Sequence, residues 1–179
     1  MQAGHTNKSE SEARFEFGAN WMQFLSVLDE RRIEEAEESL RSFLSVESLA
    51  GKKLLDIGSG SGLFSLAARR MGATVVSFDY DPQSVACTSE LKRRFFDCDD
   101  SWHIEQGSAL DREYVDSLGK FDIVYSWGVL HHTGAMWVGF ENAVQCVNDQ
   151  GMLFIAIYND QGWKSRAWWF LKALYNKIP

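Results

Sequence analysis

The first regular pattern along the chain is a helical repeat of apolar residues near its amino-terminal end. Between Asp29 and Leu44, apolar side chains recur with the spacing of one helix face, and charged side chains occupy the opposite face. The simplest interpretation of those charges is a solvated helix surface. The segment therefore predicts an amphipathic helix with Ile33, Ala36, Leu40, Phe43 and Leu44 facing inward.

After Gly51 the pattern changes to short apolar runs that alternate with helical segments. Runs of this length predict strands, and the last two are apolar enough to be covered on both faces of a sheet. The five predicted strands are 53–57, 74–79, 102–106, 121–126 and 151–158.

Helices are predicted between these strands, over residues 62–71, 82–95, 112–118 and 135–147. The first stops at Gly72, and the second begins with Asp81 as N-cap and Pro82 at the first helical position. The alternation predicts a doubly wound α/β fold with a mostly parallel sheet and a ligand site at the carboxyl ends of its strands. The expected inward side chains are Val85, Leu91 and Phe95 on the second helix, and Met136, Phe140, Val144 and Val147 or their neighbours on the fourth.

The composition fits one cytoplasmic globular domain. The chain has 179 residues, of which 45% are apolar and 24% charged, and no run approaches the roughly 20 apolar residues of a membrane span. Its net charge of −7 argues against a broad phosphate-binding face and so against a nucleic-acid substrate. Three cysteines without a CxxC pair predict buried thiols rather than disulfides or a zinc site: Cys87, Cys98 and Cys146.

The strongest candidate site is the turn after the first strand, which reads Asp56-Ile57-Gly58-Ser59-Gly60-Ser61-Gly62. Glycines allow a tight turn with positive φ and let a ligand approach the backbone near a helix N-terminus. A turn that binds nothing is the alternative. Asp79 weighs against that alternative, because a carboxylate at the end of the second strand can accept hydrogen bonds from both hydroxyls of a ribose.

Position 63 decides which nucleoside cofactor the turn favours. A dinucleotide fingerprint, G-x-G-x-x-G, would require a glycine there, and the chain has Leu63. The sequence also contains no G-x-x-x-x-G-K-[ST] motif, so it does not support the anchoring of a nucleoside triphosphate.

Four segments between about Lys52 and Asn159 resemble the class I S-adenosylmethionine-dependent methyltransferases. Segment 54–62 resembles the motif that approaches the methionine part of the cofactor, and Asp79 resembles the acid that holds its ribose. Segment 107–111 resembles the one that borders the adenine, and 121–132 resembles the fourth-strand motif at the amino-acid end. The resemblance implies a Rossmann-like fold with S-adenosylmethionine bound by Asp56, Gly58, Ser59, Gly60, Asp79, Tyr80, Ser108, Ala109 and Trp127.

Within that family the chain resembles a subgroup that includes the ubiquinone-biosynthesis O-methyltransferases, with one departure. Those enzymes carry an E-x-x-E-H metal-binding run after strand four, whereas this chain reads Gly128-Val129-Leu130-His131-His132 and lacks both glutamates. The departure weighs against a divalent metal site and against a quinone substrate.

The reaction implied by the resemblance is methyl transfer to a small-molecule acceptor, with a hydroxyl oxygen as the expected target. His132 and His131 are the candidate bases, with a weak preference for His132, because both follow strand four and imidazole titrates near neutral pH. The alternative is that both histidines pack against the loop or touch the cofactor.

Two aromatic segments flank the predicted core at 51–160. Residues 1–50 are expected to form a tail and a helical cap, and residues 161–179 a basic aromatic helix. The aromatic residues of the first segment either close over the cofactor or pack on the sheet, and the helix either contacts a membrane surface or packs on strand five. The aromatic residues in question are Phe15, Phe17, Trp21 and Phe24.

The family's sheet has seven strands, whereas five are predicted here. An open edge on strand five predicts dimerisation or poor solubility, and the missing hairpin suggests that the chain is a fragment. A non-catalytic cofactor-binding or scaffolding domain is therefore the alternative function. A nicotinamide oxidoreductase is a third hypothesis, which Leu63 opposes.

Overall fold

A computed structural model of the protein describes residues 23–158. In this range helix α1 (Glu30–Leu44) precedes five strands, which alternate with four further α-helices. The elements after α1 are β1 (Lys53–Ile57), α2 (Leu63–Arg70), β2 (Thr74–Asp79), α3 (Pro82–Phe95), β3 (Trp102–Gln106), α4 (Arg112–Ser117), β4 (Phe121–Trp127), a 3₁₀ turn (Leu130–His132), α5 (Met136–Gln145) and β5 (Val147–Ala156).

The five strands form one parallel sheet in the order β3-β2-β1-β4-β5. The chain reverses its direction of progress across the sheet between β1 and β4, and such a point opens a crevice at the carboxyl ends of the strands. The predicted doubly wound α/β fold is thereby confirmed. The two faces of the sheet are covered by separate apolar clusters, one built around Leu54 and Leu66 and the other around Leu55 and Val124.

Helix α1 begins and ends where the sequence predicts. The Asp29 side chain accepts a hydrogen bond from the Arg32 backbone N–H at 3.0 Å, and Ser45 ends the helix in the left-handed conformation. The helix buries its predicted apolar face except for Phe43, which stays 40% exposed and stacks on Trp127 at a ring-centroid distance of 5.2 Å. Arg70 of α2 pairs with Glu37 of α1 at 2.7 Å, so the two helices are also joined by an ion pair.

The predicted inward residues of the α5 segment are confirmed in part, because Met136 and Val147 pack half-buried against the cluster around Leu55 and Val124. Phe140 and Val144 are exposed, whereas Gly139, Asn142 and Ala143 are buried. A Cβ atom on Gly139 would lie only 3.2 Å from a methyl group of Leu130, so this face packs too closely for large side chains. The Asn142 amide also donates to the Ala109 carbonyl at 2.9 Å, which ties α5 to the loop after β3.

Three smaller predictions were also wrong. Phe95, the last residue of α3, is 40% exposed, whereas Leu91 of the same helix is buried as predicted. Cys98 is exposed and not a buried thiol, unlike the other two cysteines. Strand β5 starts at Val147 rather than at residue 151, and its side chains are half-buried or exposed rather than covered on both faces.

The predictions for residues 1–22 and 159–179 lie outside the described residues. They include most of the aromatic lid, the terminal helix and the question of further strands. Within residues 23–158, no helix combines the length and the apolar character that crossing a membrane requires.

Candidate functional site

Two adjoining cavities open at the carboxyl ends of β1, β2 and β4. The larger has a volume of about 600 Å³ and the smaller about 140 Å³. The volume of the larger falls within the range of small-molecule sites. Both cavities are lined by Gly58, Asp79, Tyr80, Val129 and His132, so the two spaces share a wall.

The turn after β1 requires glycine for its conformation and for the space around it. Gly58 has a φ of +77°, and a Cβ atom there would lie 2.4 Å from the Val129 Cγ1 atom. Gly62 has a φ of +79°, and its Cβ atom would lie 2.8 Å from the Thr88 Cγ2 atom. The turn is thus packed tightly between the loop after β4 and helix α3.

The backbone N–H groups of the turn are already used within the protein. Gly58 and Ser59 donate to the Phe78 carbonyl at 2.9 and 3.1 Å, and Gly60 donates to the Asp79 carboxylate at 2.9 Å. A turn that binds phosphate instead points free N–H groups at its ligand. These three N–H groups therefore do not form a phosphate-binding turn.

Asp79 joins the ends of β1 and β2. One carboxylate oxygen accepts from the Gly60 N–H and the other from the Asp81 N–H, each at 2.9 Å. Burial raises the pKa of Asp79, and the backbone N–H donors oppose that rise. Each carboxylate oxygen can accept a second hydrogen bond, so the Asp79 carboxylate keeps capacity for ligand hydroxyls in the cavity it lines.

Asp56 lies at the floor of the larger cavity and is only 3% exposed. The Ser65 hydroxyl donates to its carboxylate at 2.5 Å, and the Ser65 and Ser77 hydroxyls lie 2.7 Å apart. The Trp102 indole N–H in turn donates to Ser77 at 2.9 Å. Burial raises the pKa of Asp56 to about 7, more than the hydrogen bond from Ser65 lowers it.

Replacing Asp56 by asparagine is expected to stabilise the ligand-free protein at high pH. Because the pKa of Asp56 in the folded protein, about 7, exceeds its usual 3.8, the folded state retains a proton that the unfolded state has released. Wild-type stability therefore falls as the pH rises through the folded pKa, whereas asparagine stays neutral and still accepts from Ser65.

The gain in unfolding free energy of Asp56→Asn over the wild type should grow between pH 5 and pH 8 by on the order of 2 to 3 kcal/mol. Urea unfolding at the two pH values measures the gain. The same difference at both pH values would contradict the titration assigned to Asp56.

The smaller cavity is bounded by the predicted residues Tyr80, Ser108 and Ala109 and has apolar walls. The Ser108 hydroxyl accepts from the Leu110 N–H at 3.2 Å, and the Gln106 side-chain amide donates to the Tyr80 carbonyl at 3.1 Å. These bonds hold the loop after β3 against the end of β2, so the two predicted segments meet in one wall.

An aromatic wall closes one side of the larger cavity. Trp127 stacks on Phe43, Phe64 and Phe154 at centroid distances of 5.2 to 6.0 Å, and its interplanar angles with them are 26° or less. Tyr125 lines the same cavity two residues earlier in β4. Tyr125 is not among the predicted site residues, although strand alternation places it on the same face as Trp127.

The two histidines occupy different places. His132 is exposed and lines both cavities. His131 lies behind it, with ring centroids 3.9 Å from His132 and 4.8 Å from Tyr158, and it lines neither cavity. Its two ring nitrogens are buried without hydrogen-bond partners among the described residues, and burial lowers the pKa of His131.

The larger cavity is lined by acidic side chains. Its described walls contain the carboxylates of Asp56, Asp79 and Asp81 and no lysine or arginine. Such a wall favours a cationic ligand and disfavours a pyrophosphate. In residues 23–158, no group of three His, Cys, Asp or Glu side chains is placed to hold a metal ion.

Comparison with known proteins assigns the family. A family model described as a methyltransferase domain matches residues 28–178. A ubiquinone biosynthesis O-methyltransferase of Bartonella bacilliformis is 27% identical over 125 residues, which cover 70% of this chain and 48% of that protein. The chain thus spans about half the length of the O-methyltransferases that it matches.

Solved structures with low sequence identity share the fold. The magnesium protoporphyrin IX methyltransferase of Synechocystis, with bound S-adenosylhomocysteine, has a TM-score of 0.63 at 14% identity, covering 92% of this chain and 69% of that one. For coclaurine N-methyltransferase, bound to N-methylheliamine and S-adenosylhomocysteine, the TM-score is 0.57 at 16% identity, with coverages of 72% and 36%. The chain belongs to the methyltransferase-domain family, which confirms the resemblance to class I S-adenosylmethionine-dependent methyltransferases.

Proposed function

We propose that the protein binds S-adenosylmethionine in the two adjoining cavities and transfers its methyl group to a small-molecule acceptor, at a hydroxyl oxygen. The observation that carries this proposal is the contact between the Asp79 carboxylate and the Gly60 N–H, at 2.9 Å, in a cavity wall that is acidic and lacks basic residues. The glycine turn after β1 and Asp79 therefore border the same cavity, and its volume of about 600 Å³ is typical of a small-molecule site.

The described residues fit the cofactor piece by piece. Asp79 would hold the ribose hydroxyls. Each of its carboxylate oxygens accepts one hydrogen bond from a backbone N–H and can accept a second one from the ligand. Tyr80, Ser108 and Ala109 would border the adenine in the smaller, largely apolar cavity. The amino-acid end and the sulfonium would lie in the larger cavity, which Asp56, Gly58, Ser59, Gly60 and Trp127 line.

When bound, S-adenosylmethionine supplies a methyl group already activated by its sulfonium. The protein therefore has to hold the acceptor in line with that methyl group and keep water away. Phe64 and Trp127 provide a water-excluding wall whose ring faces also attract a cation. His132, at the rim of both cavities, is the group we assign to remove the acceptor proton.

His131 is a weaker candidate for that role. Its ring lies behind that of His132, and burial lowers the pKa of His131, so that its imidazole binds a proton less readily. We assign it a packing role beside Tyr158, so the two histidines provide a matched pair of variants.

Methyl transfer from labelled S-adenosylmethionine to the small-molecule fraction of a cell extract tests the proposal. The expected result is one labelled product of low mass, which His132→Asn reduces by about 100-fold while binding of S-adenosylhomocysteine persists. His131→Asn should keep most of the transfer. Cofactor binding without any labelled product would favour the non-catalytic binding domain, and label found only in protein or nucleic acid would contradict a small-molecule acceptor.

Contact with a membrane surface and dimerisation both stay predictions. The helix invoked for membrane contact falls in residues 161–179, outside the described part of the chain.

A further inference from the structure

Phe24 contributes to the wall of the larger cavity from the chain before α1. Every other described residue that lines this cavity comes from β1 or later in the chain. Phe24 is half-buried, and it is the one described member of the aromatic group predicted either to close over the cofactor or to pack on the sheet. Its place in the cavity wall favours the first alternative.

The turn that carries Phe24 is anchored by the next residue. The Leu25 side chain is 2% exposed and belongs to the apolar cluster around Leu54 and Leu66. The Val27 N–H donates to the Phe24 carbonyl at 3.0 Å and closes the turn. Leu25 therefore fixes the turn to the core, while Phe24 is placed in the cavity wall.

Arg94 of α3 reaches the same turn. Its Nη1 group donates to the Leu25 carbonyl at 3.1 Å, across 69 positions of the sequence. Its Nε group donates to Glu90, one helical turn earlier, at 2.8 Å, so the guanidinium is held between helix and turn. Hydrogen bonds from a charged donor are stronger than those between neutral groups. Arg94 thus joins the turn with Phe24 to a helix whose first residues line the same cavity.

This part of the cavity wall is the part that opens most easily. Local opening costs least where few buried side chains and few hydrogen bonds hold a segment. Of residues 23–28 only Leu25 is buried, and Val27 is 53% exposed. Each contact that holds the turn, including the one from Arg94, therefore matters for how often the wall opens.

We propose that Phe24 is a further binding residue of the cofactor cavity and that Arg94 is the positioning residue that keeps it there. The inference rests on the proposed function. The Phe24 ring would cover apolar surface of the bound ligand and shield it from water. Arg94 lines neither cavity, so it would slow the release of the ligand only through the turn that it holds.

Calorimetric titration of the full chain with S-adenosylhomocysteine, combined with its dissociation rate from surface plasmon resonance, tests both roles. Phe24→Ala should weaken binding about tenfold, mainly through faster dissociation, whereas Phe24→Leu keeps an apolar contact and should stay within about threefold of the wild type. Arg94→Met keeps the aliphatic part of the side chain but no donor, and it should weaken binding about threefold.

The two substitutions should not add, because Arg94 acts through Phe24. The double variant of Phe24→Ala and Arg94→Met should bind S-adenosylhomocysteine within about twofold of Phe24→Ala alone. Arg93→Met is the matched control, since Arg93 also pairs with Glu90, at 2.7 Å, and lines neither cavity. Its affinity should equal that of the wild type, whereas a general effect of the Glu90 ion pairs on α3 would appear in both arginine variants.

The two proposals fail in different ways. If the wild type does not bind S-adenosylhomocysteine, the proposed function is wrong. If it binds but Phe24→Ala keeps the wild-type affinity, Phe24 is not a binding residue and the proposed function stands. Full additivity in the double variant would overturn the role of Arg94. If Phe24→Ala does not fold, equal dissociation rates of Arg94→Met and Arg93→Met, both substitutions on the exposed side of α3, would overturn the inference.

Discussion

Replacing Asp79 by alanine is expected to weaken S-adenosylhomocysteine binding by about 10- to 150-fold, equivalent to about 1.5 to 3 kcal/mol. The substitution removes the acceptor that would hold the ribose hydroxyls. It also leaves the N–H groups of Gly60 and Asp81 without the carboxylate that now binds each of them at 2.9 Å. Isothermal titration calorimetry measures the loss directly.

Asp29→Ala separates loss of the site from loss of stability. Asp29 caps α1 by accepting from the Arg32 N–H at 3.0 Å, and it lines neither cavity. Its removal should lower the free energy of unfolding by about 1 kcal/mol without changing the affinity. Unchanged binding in Asp79→Ala would remove Asp79 from the site, whereas equal weakening in both variants would show that the effect is one of stability.

Gly58→Ala is expected to lower the free energy of unfolding by about 3 kcal/mol or more. A left-handed backbone costs a residue with a Cβ atom about 1 to 2 kcal/mol, and overpacking adds about 1 to 3 kcal/mol. The added Cβ would lie 2.4 and 2.5 Å from the two Val129 methyl carbons and 3.0 Å from the Val129 Cβ, so rotation of the valine cannot relieve the overlap. Urea unfolding of the ligand-free protein measures the change.

Gly119→Ala is the control for Gly58→Ala. Gly119 has a φ of +83°, and nothing lies within 4 Å of the position that its Cβ would occupy. Only the conformational penalty of about 1 to 2 kcal/mol should appear there. Pairing Gly58→Ala with Val129→Ala should recover part of the additional loss. Equal destabilisation in Gly58→Ala and Gly119→Ala would show that the turn is not packed against Val129.

Local signals in the sequence were enough to predict much of the fold. The bounds of β1, β2 and β3 agree with the structure, because each run of apolar residues is short and bounded by a cap or a turn. Asp81 caps α3 as predicted, and its side chain accepts from the Gln83 N–H at 3.0 Å. These features depend on neighbours in sequence, which the chain itself displays.

Features that depend on neighbours in space were harder to predict. Periodicity assigns Phe140 to the buried face of α5 because it is large and apolar, but the close approach of Leu130 to Gly139 admits only small residues there. The length of β5 depends on its irregular pairing with β4 between Phe121 and Ile123. No local pattern reports either arrangement.

The residues of the candidate site also fall into those that the sequence predicts and those that only the structure shows. The predicted turn residues and Asp79 meet in one cavity wall, and a known α/β pattern was enough to place them there. Tyr125 was missed because it reads as one more apolar position of a buried strand. Its relation to Asp56 follows only from the pairing of β1 with β4. His131 and His132 are adjacent in sequence, and only the three-dimensional structure separates their environments.

The most direct test of the central claim is parallel calorimetric titration of the full chain with S-adenosylhomocysteine and with NAD. The acidic cavity wall and the engaged N–H groups of the turn predict saturable binding of one S-adenosylhomocysteine per chain and no binding of NAD. Saturable binding of NAD alone would contradict the assignment of this cavity to a sulfonium nucleoside.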